Sequence, residues 1–389
     1  MTDNFFSQLR ILDHTRYLLG GYATQVFADL GAEVIKIEDT GAGDFCRMEE
    51  PMRNGVSHYF SALNRNKKSV TLNLKSDAGK EAYFRLVKTA DVVIENFRPG
   101  VTKRLGIDYD AEKAVKPDII HCGMSSFGQD DPRSLKALHD INFQALSGYL
   151  SLNGGKTSPI HFVDVSTGMA AVQSIMAALL QREHTGEGAF CDVKMFDSFV
   201  WWNALVDARY DFQGDVSPDT LDFPALAYNV YATKDGGSVS IGMLEEKFWV
   251  SFLTALGRED LIPYKRLRRQ EAPEAFSDLE AIFLSRTTAE WKEFLADKDI
   301  CAMPALTKAE AIDYITASDT GLIEYVDFPR TGKTLQTRIP ISVSTLPVSV
   351  SEARQCPALG EDNRNVLRSV GYLDTEIDAM AETGAISKA

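Results

Sequence analysis

Short β-branched runs alternate with amphipathic segments over the first 200 residues, and this alternation narrows the fold more than any other feature. Arg10 to Asp13 reads as a strand. Tyr22 to Leu30 follows as a helix, with Ala23, Val26, Phe27 and Leu30 at helical spacing, and Glu33 to Ile37 as the next strand. Val70 to Leu74, Asp91 to Glu95 and Asp118 to Cys122 continue the strands, with a helix over Asp77 to Thr89. Strands that alternate with helices imply a parallel sheet covered on both faces. Open sheets of this kind take ligands at the carboxyl ends of their strands. Val165 to Glu183 reads as a helix whose Met169, Val172, Ile175, Met176 and Leu179 form a buried stripe. Phe190 to Met195 is a further strand, and Asp197 to Arg209 a helix with Trp201 and Trp202 as packing residues.

At 389 residues two domains are expected. Composition shifts at Gln213 to Pro224, rich in Asp, Pro, Gly and Ser, which reads as a linker. The expected division is 1–212, a linker at 213–224, a smaller α+β unit over 225–326, and 327–389. The smaller unit holds a hairpin, Val230 to Ala232 and Val239 to Ile241, joined across Asp235-Gly236-Gly237, with helices at 246–256, 273–284 and 288–297. Short helices at 360–370 and 375–380 end the chain.

Bulk properties exclude several classes. The five cysteines form no C-x-x-C pair, which argues against a disulfide framework or a zinc site and for buried thiols. A net charge of −14 argues against nucleic acid as a partner. That charge is uneven: residues 1–105 carry +2 and the remainder −16, so the first quarter suits an anionic ligand better than the whole molecule does. No run of apolar residues reaches bilayer length, so no membrane partner is expected. Met1-Thr2-Asp3-Asn4 lacks the basic start of a signal peptide, and Ser387-Lys388-Ala389 is not a clear peroxisomal address. A cytoplasmic location is expected.

Within this frame, His139-Asp140 sits in an apolar stretch, between Ala137-Leu138 and Ile141-Asn142-Phe143. Imidazole titrates near neutrality, and a neighbouring carboxylate can serve as charge partner, base or nucleophile.

Four ordered blocks carry a resemblance. They are Asp29-Leu30-Gly31-Ala32-Glu33-Val34-Ile35-Lys36-Ile37-Glu38, Asn64-Arg65-Asn66-Lys67-Lys68, Asp91 to Val101 through Asn96-Phe97-Arg98-Pro99-Gly100, and Phe127-Gly128-Gln129. Together they resemble the class III CoA-transferase (CaiB/BaiF) family over nearly the whole chain, to Ala358-Leu359-Gly360-Glu361. The resemblance implies an α/β fold: a large doubly wound parallel-sheet domain built from both chain ends, a small inserted α+β domain, and an interlocked homodimer. It implies an acyl-CoA substrate, no metal and no cofactor apart from the CoA of the thioester. Lys36, the turn Leu63, Asn64, Arg65, Asn66 and Lys67, then Asn96, Phe97, Arg98 and Arg104 match positions that hold the CoA nucleotide. Arg and Lys at strand ends can meet phosphate with charge-assisted hydrogen bonds.

The family divides by chemistry. Its transferases, on this reading, use the position of Asp140 as nucleophile and form an acyl-aspartyl anhydride. Its α-methylacyl-CoA racemases move the proton α to the thioester and need acid/base groups on both faces. His139 resembles the racemase pattern, with Asp164 matching the partner across the substrate and Glu245, or its neighbour Glu246, the residue that backs the histidine. The expected activity is therefore racemisation or epimerisation of a 2-methylacyl-CoA, with transfer of CoA through Asp140 as the alternative and a non-catalytic acyl-CoA scaffold as a third reading. Leu138 and Phe143 depart from the racemase pattern, and Val165-Ser166-Thr167-Gly168 looks more like the transferase form of that helix start.

Overall fold

The computed structural model describes residues 4–217, 224–318 and 320–388. Residues 218–223 of the expected linker lie outside them. The chain divides into two compact units, 1–207 with 318–389, and 208–317. The first crossing falls in the helix Ala204–Gln213, before the Asp- and Pro-rich stretch. The return comes ahead of residue 327, so both strands of a C-terminal hairpin belong to the larger unit.

The larger unit is organised by six parallel strands: β1 (Arg10–Asp13), β2 (Glu33–Glu38), β3 (Lys68–Thr71), β4 (Val92–Glu95), β5 (Ile120–Ser125) and β6 (Ala189–Lys194). Their order is β3-β2-β1-β4-β5-β6. This is the doubly wound order, in which the chain reverses direction between β1 and β4 and leaves a crevice there. Alternation along each strand supplies two cores. Leu12, Ile37, Val70 and Val93 face one side, against Leu86 and Val87 of the helix Asp77–Val87 and against Val366, Leu367 and Ile377 from the chain's end. Ile11, Val34, Val92 and Ile94 face the other, beneath α1 (Tyr17–Asp29).

Four more helices matter for the site: the short α2 (His58–Leu63) and α3 (Val101–Leu105) flank the strand ends, while α4 (Asp140–Leu146) and α5 (Phe162–Thr185) follow β5. The buried face of α5 keeps Val172, Ile175, Met176 and Leu179 of the expected stripe but not Met169. Ser166, Thr167, Gly168 and Ala171 are buried, whereas Met169 is 51% exposed. A Cβ on Gly168 would stand 2.8 Å from the Leu19 carbonyl oxygen and 2.9 Å from Tyr22 Cβ, so α1 and α5 approach through that glycine. By length and composition α5 could cross a membrane, which corrects the expectation that no such segment exists; here its Ala171, Ile175 and Leu179 pack into the second core. Trp201 and Trp202 are 74% and 44% exposed rather than packed. Cys46, Cys122 and Cys356 are buried, Cys191 is partly so, and Cys301 is exposed, a correction for that thiol.

The smaller unit pairs β7 (Tyr228–Ala232), β8 (Ser238–Gly242) and β9 (Ala302–Pro304) antiparallel. The helices α6 (Glu246–Leu256), α7 (Pro273–Leu284) and α8 (Thr288–Leu295) bury Trp249, Phe252, Phe276, Phe283 and Trp291 against them. In the larger unit the closing hairpin is β10 (Ile323–Phe328) and β11 (Gly332–Thr337).

Candidate active site

The doubly wound order directs attention to the loops that leave β1 and β4. Asn96 ties them together: its Oδ1 accepts the Arg16 N–H at 2.9 Å and its Nδ2 donates to the Arg16 carbonyl at 2.7 Å. Glu95 braces the same loop by accepting the Phe97 N–H at 2.5 Å. Behind it His121 lies 3.7 Å from Glu95 and 2.7 Å from Glu112. Burial alone would lower the His121 imidazole; the charge of Glu112 and hydrogen bonds to both glutamates outweigh that and raise it to about 9.

A cavity of about 720 Å³ opens over this switch point. Arg16, Tyr17, Asn96, Phe97 and Arg98 line it from the β1 and β4 loops, Tyr59 from α2, Lys136 and His139 from the loop before α4, and Asp140, His161 and Asp164 from the starts of α4 and α5. A second cavity, about 520 Å³, shares Arg16 and Phe97 with the first and adds His14, Glu38, Asp39, Asn73 and Lys75. Two cavities that meet at an arginine and an aromatic ring suit a long ligand with phosphate along its length. His14 is buried with no partner on Nε2 among the described residues, and burial takes its pKa down to about 3, so it is a neutral imidazole.

The two aspartates differ in their commitments. Asp140 is buried, and both carboxylate oxygens are engaged. Oδ2 accepts the N–H groups of Val163 at 2.7 Å and Asp164 at 3.2 Å, while Oδ1 accepts from Gln144 Nε2. The side chain thus caps α5 from the first turn of α4, satisfying donors that a helix start leaves open. The carboxyl of Asp164, one turn into α5, accepts no hydrogen bond among the described residues and lines the cavity. Burial and then the charge of Asp140 raise its pKa to about 7.

His139 is the exposed N-cap residue of α4. Its N–H donates to Asn142 Oδ1 at 2.9 Å, and its ring stands edge-on to Tyr17 at 6.3 Å. Phe143 is wholly buried among Phe127, Val163 and Phe199, an apolar nook in which a tyrosine hydroxyl would have to find a partner. Glu245 belongs to the smaller unit, where it is the N-cap residue of α6 without a side-chain capping bond.

The expected nucleotide ligands divide. Asn96, Phe97 and Arg98 line the cavity. Arg104 is exposed on α3 and belongs to neither lining, though Leu105 beside it lines the second cavity. Lys36 is 1% exposed, 2.8 Å from Asp44 and 3.9 Å from Asp13, and donates to the Thr15 carbonyl at 2.7 Å. Lys67 is equally buried, 3.4 Å from Asp13 and 2.7 Å from Thr24 Oγ1, and takes Asn64 Oδ1 at 2.9 Å. Arg65 pairs with Asp29 and reaches the Thr337 carbonyl at 2.9 Å; Asn66 joins Asp29 and the Arg354 backbone; Leu63 packs beneath α1. These six are corrected from strand-end phosphate ligands to interior ties: Asp13, Asp29 and Asp44 supply the counter-charges of Lys36, Arg65 and Lys67, Asn64 and Asn66 are held by hydrogen bonds, and Leu63 by packing. Sequence reasoning passed over Arg16, Tyr17, Tyr59, Lys136 and His161. Arg16 carried a usable signal, since it lies three residues past the end of β1 at the switch point.

Residues 6–363 match CoA-transferase family III. The chain belongs to that family. Across 98% of its length this CoA-transferase family III protein is 32% identical to succinyl-CoA:glutarate CoA-transferase of Mus musculus, covering 90% of that protein. It is 30% identical to formyl-CoA:oxalate CoA-transferase of Streptomyces coelicolor over 99% of this chain and all of the other. A CAIB/BAIF family protein from Brucella suis superimposes with a TM-score of 0.82 at 26% identity, covering 94% of this family III chain and 99% of its own. The curated relatives carry transferase names, which favours CoA transfer over the racemase expected from His139.

Proposed function

We propose that the protein moves CoA between carboxylic acids and that Asp164, rather than Asp140, is its nucleophile. The observation that carries this reading is the contrast between the two carboxyls. Asp140 is held by three donors, while the Asp164 carboxyl faces the cavity and accepts no hydrogen bond among the described residues. Donors that hold a carboxylate lower its nucleophilicity and fix its oxygens away from the substrate, and Asp164 carries no such donor among the described residues. The transferase names of the relatives support the same class of reaction. Arg16, Arg98 and Lys136 supply positive charge for the CoA phosphates in this reading, and His14 a neutral hydrogen-bonding atom in the second cavity.

The bond changes follow from balance. An Asp164 oxygen adds to the thioester carbon, the C–S bond breaks, and CoA leaves as thiolate with the electron pair. If the acceptor acid then attacked the acyl carbon, the acyl group would move and CoA would not. The thiolate must instead add to the Asp164 carbonyl carbon and release the donor as carboxylate. The acceptor carboxylate next displaces thiolate from aspartyl-CoA, forming a second anhydride. Thiolate attack on the acceptor's acyl carbon then gives the new thioester and returns Asp164. Every step exchanges one carbonyl substituent for another, so no outside energy source is needed. A homodimer fits this reading too, since Trp201, Leu205 and Phe212 leave large apolar surfaces 74%, 87% and 90% exposed.

The test uses succinyl-CoA, alone and with glutarate or oxalate, with hydroxylamine present. Mass spectrometry should find a hydroxamate at residue 164, and Asp164→Asn should abolish it with a loss of transfer of 10³-fold or more, on the order expected for a covalent nucleophile. Label at Asp140, or full transfer by Asp164→Asn, would refute the assignment. The racemase reading keeps one observation, that His139 and Asp164 line one cavity. Deuterium uptake from heavy water at the α-carbon of 2-methylacyl-CoA, with no acid present and dependent on His139, would establish it over transfer.

A further inference from the structure

His161 is not part of the expected site, yet it stands at the reacting carboxyl. It is the N-cap residue of α5 but makes no side-chain capping bond, so the helix start does not account for its ring. One donor-type atom from each of Asp140, His161 and Asp164 lies within 4.8 Å of the others. The ring is exposed toward the cavity, with Nε2 3.5 Å from the Tyr59 hydroxyl.

Resting on the assignment of Asp164 as nucleophile, we propose that His161 is the positioning residue that takes the proton of Asp164 and remains beside it as counter-ion. With Asp140 occupied as the acceptor of three hydrogen bonds, the Asp164 carboxyl and the His161 imidazole have two ways to hold one proton. With the proton on Asp164, that carboxyl is spared repulsion from Asp140 but cannot attack. With the proton on His161, an imidazolium stands between two carboxylates and is attracted to both. The two forms carry the same total charge, so solvent pH does not decide between them; the imidazole does. The other titratable groups packed about this cluster are Tyr22 from α1, whose phenol is pushed up by burial and then by the Asp164 charge, and Tyr59 from α2. The remaining charged lining residues, Arg16, Glu49, Arg98 and Lys136, together with His139, act on both forms alike to first order. Without the imidazole, Asp164 would ionise only by releasing its proton to water, against burial and the Asp140 charge.

The experiment follows the carboxyl directly. The full-length protein, labelled with ¹³C at aspartate side chains, is titrated by NMR, with the residue-164 signal assigned by its absence in Asp164→Asn. In His161→Gln the ionisation of Asp164 should move up by about one pH unit or more, the shift expected when a cation within contact range is removed. His161→Lys should restore the lower value. Succinyl-CoA-dependent acylation should fall about tenfold at pH 6 in His161→Gln and recover above pH 8. An unmoved carboxyl titration, or an equal loss at every pH, would overturn the proposal. Failure of the nucleophile assignment is seen separately: the hydroxamate then forms elsewhere or transfer survives Asp164→Asn, whatever His161 does.

Discussion

At the residue scale, the two ends of one electrostatic range sit in the same unit. Asp13 is buried, which alone would raise its pKa, but Lys36, Lys67 and hydrogen bonds from Thr15 and Thr24 bring it down from 3.8 to about 2. Asp164 moves the other way, from 3.8 to about 7. Their consequences for stability have opposite signs. The contribution of Asp13 is present above pH 3.8 and is lost as pH falls through 2. Asp164 binds a proton more tightly folded than unfolded, so it lowers stability as pH rises from about 4 to 7, and its full penalty stands above 7. Asp164→Asn should therefore raise the urea midpoint at pH 8 and leave it unchanged near pH 4, a stability gain at the cost of activity. Asp13→Asn should cost about 3–5 kcal/mol at pH 7, since it takes the carboxylate from the buried Lys67 and leaves Lys36 with Asp44 alone. Urea titrations at the two pH values measure both, and a destabilised Asp164→Asn at pH 8 would contradict the assigned environment.

At the element scale, α5 holds the Asp164 carboxyl, the proposed nucleophile, in its first turn and anchors it through small residues. Gly168→Val should destabilise the protein by about 1–3 kcal/mol, because its branched side chain meets the α1 backbone, which cannot yield as a side-chain tip can. A lower urea midpoint at constant slope would show it, together with slower Asp164 acylation. The strands of the parallel sheet were legible because buried β-branched runs have few alternatives, and α6 and α7 because period and boundary agree. The short helix α2 was not legible, since six residues carry too little periodicity and depend on caps. The role of Asp140 was hidden for a related reason: the N–H groups it caps are 23 and 24 residues away in sequence. Lys36 and Lys67 misled because a cation at a strand end looks the same whether it faces phosphate or Asp13. Asp164 was visible, but its freedom from hydrogen bonds is a property of the fold alone.

At the scale of the whole molecule, the chain's end closes the sheet that its beginning starts. β3 is an edge strand, and an edge with open N–H and C=O groups invites pairing with other chains. Residues 360–387 occupy that edge. The Ser69 N–H donates to Asp362 Oδ2 at 3.0 Å, the Asp362 N–H returns to the Ser69 carbonyl at 3.0 Å, and the Thr71 N–H donates to Asn363 Oδ1 at 2.8 Å. The Asn73 N–H reaches the Ala385 carbonyl at 2.8 Å. Val366, Leu367, Ile377, Met380 and Ile386 then bury themselves in the first core. Two side chains and two separate backbone groups thus do the work of a seventh strand, and they do it without a repeating ladder that could be copied by another molecule. Asn363→Leu keeps the volume but removes the acceptor, leaving a buried Thr71 N–H without a partner, at about 1–3 kcal/mol. Asn363→Asp keeps an acceptor at the same place and should recover part of that loss. Hydrogen exchange locates the effect: the Thr71 amide should lose protection in Asn363→Leu well before amides of the central β1. Equal protection of Thr71 in both variants and the parent would mean that the edge is closed by packing of the terminal helices rather than by these hydrogen bonds.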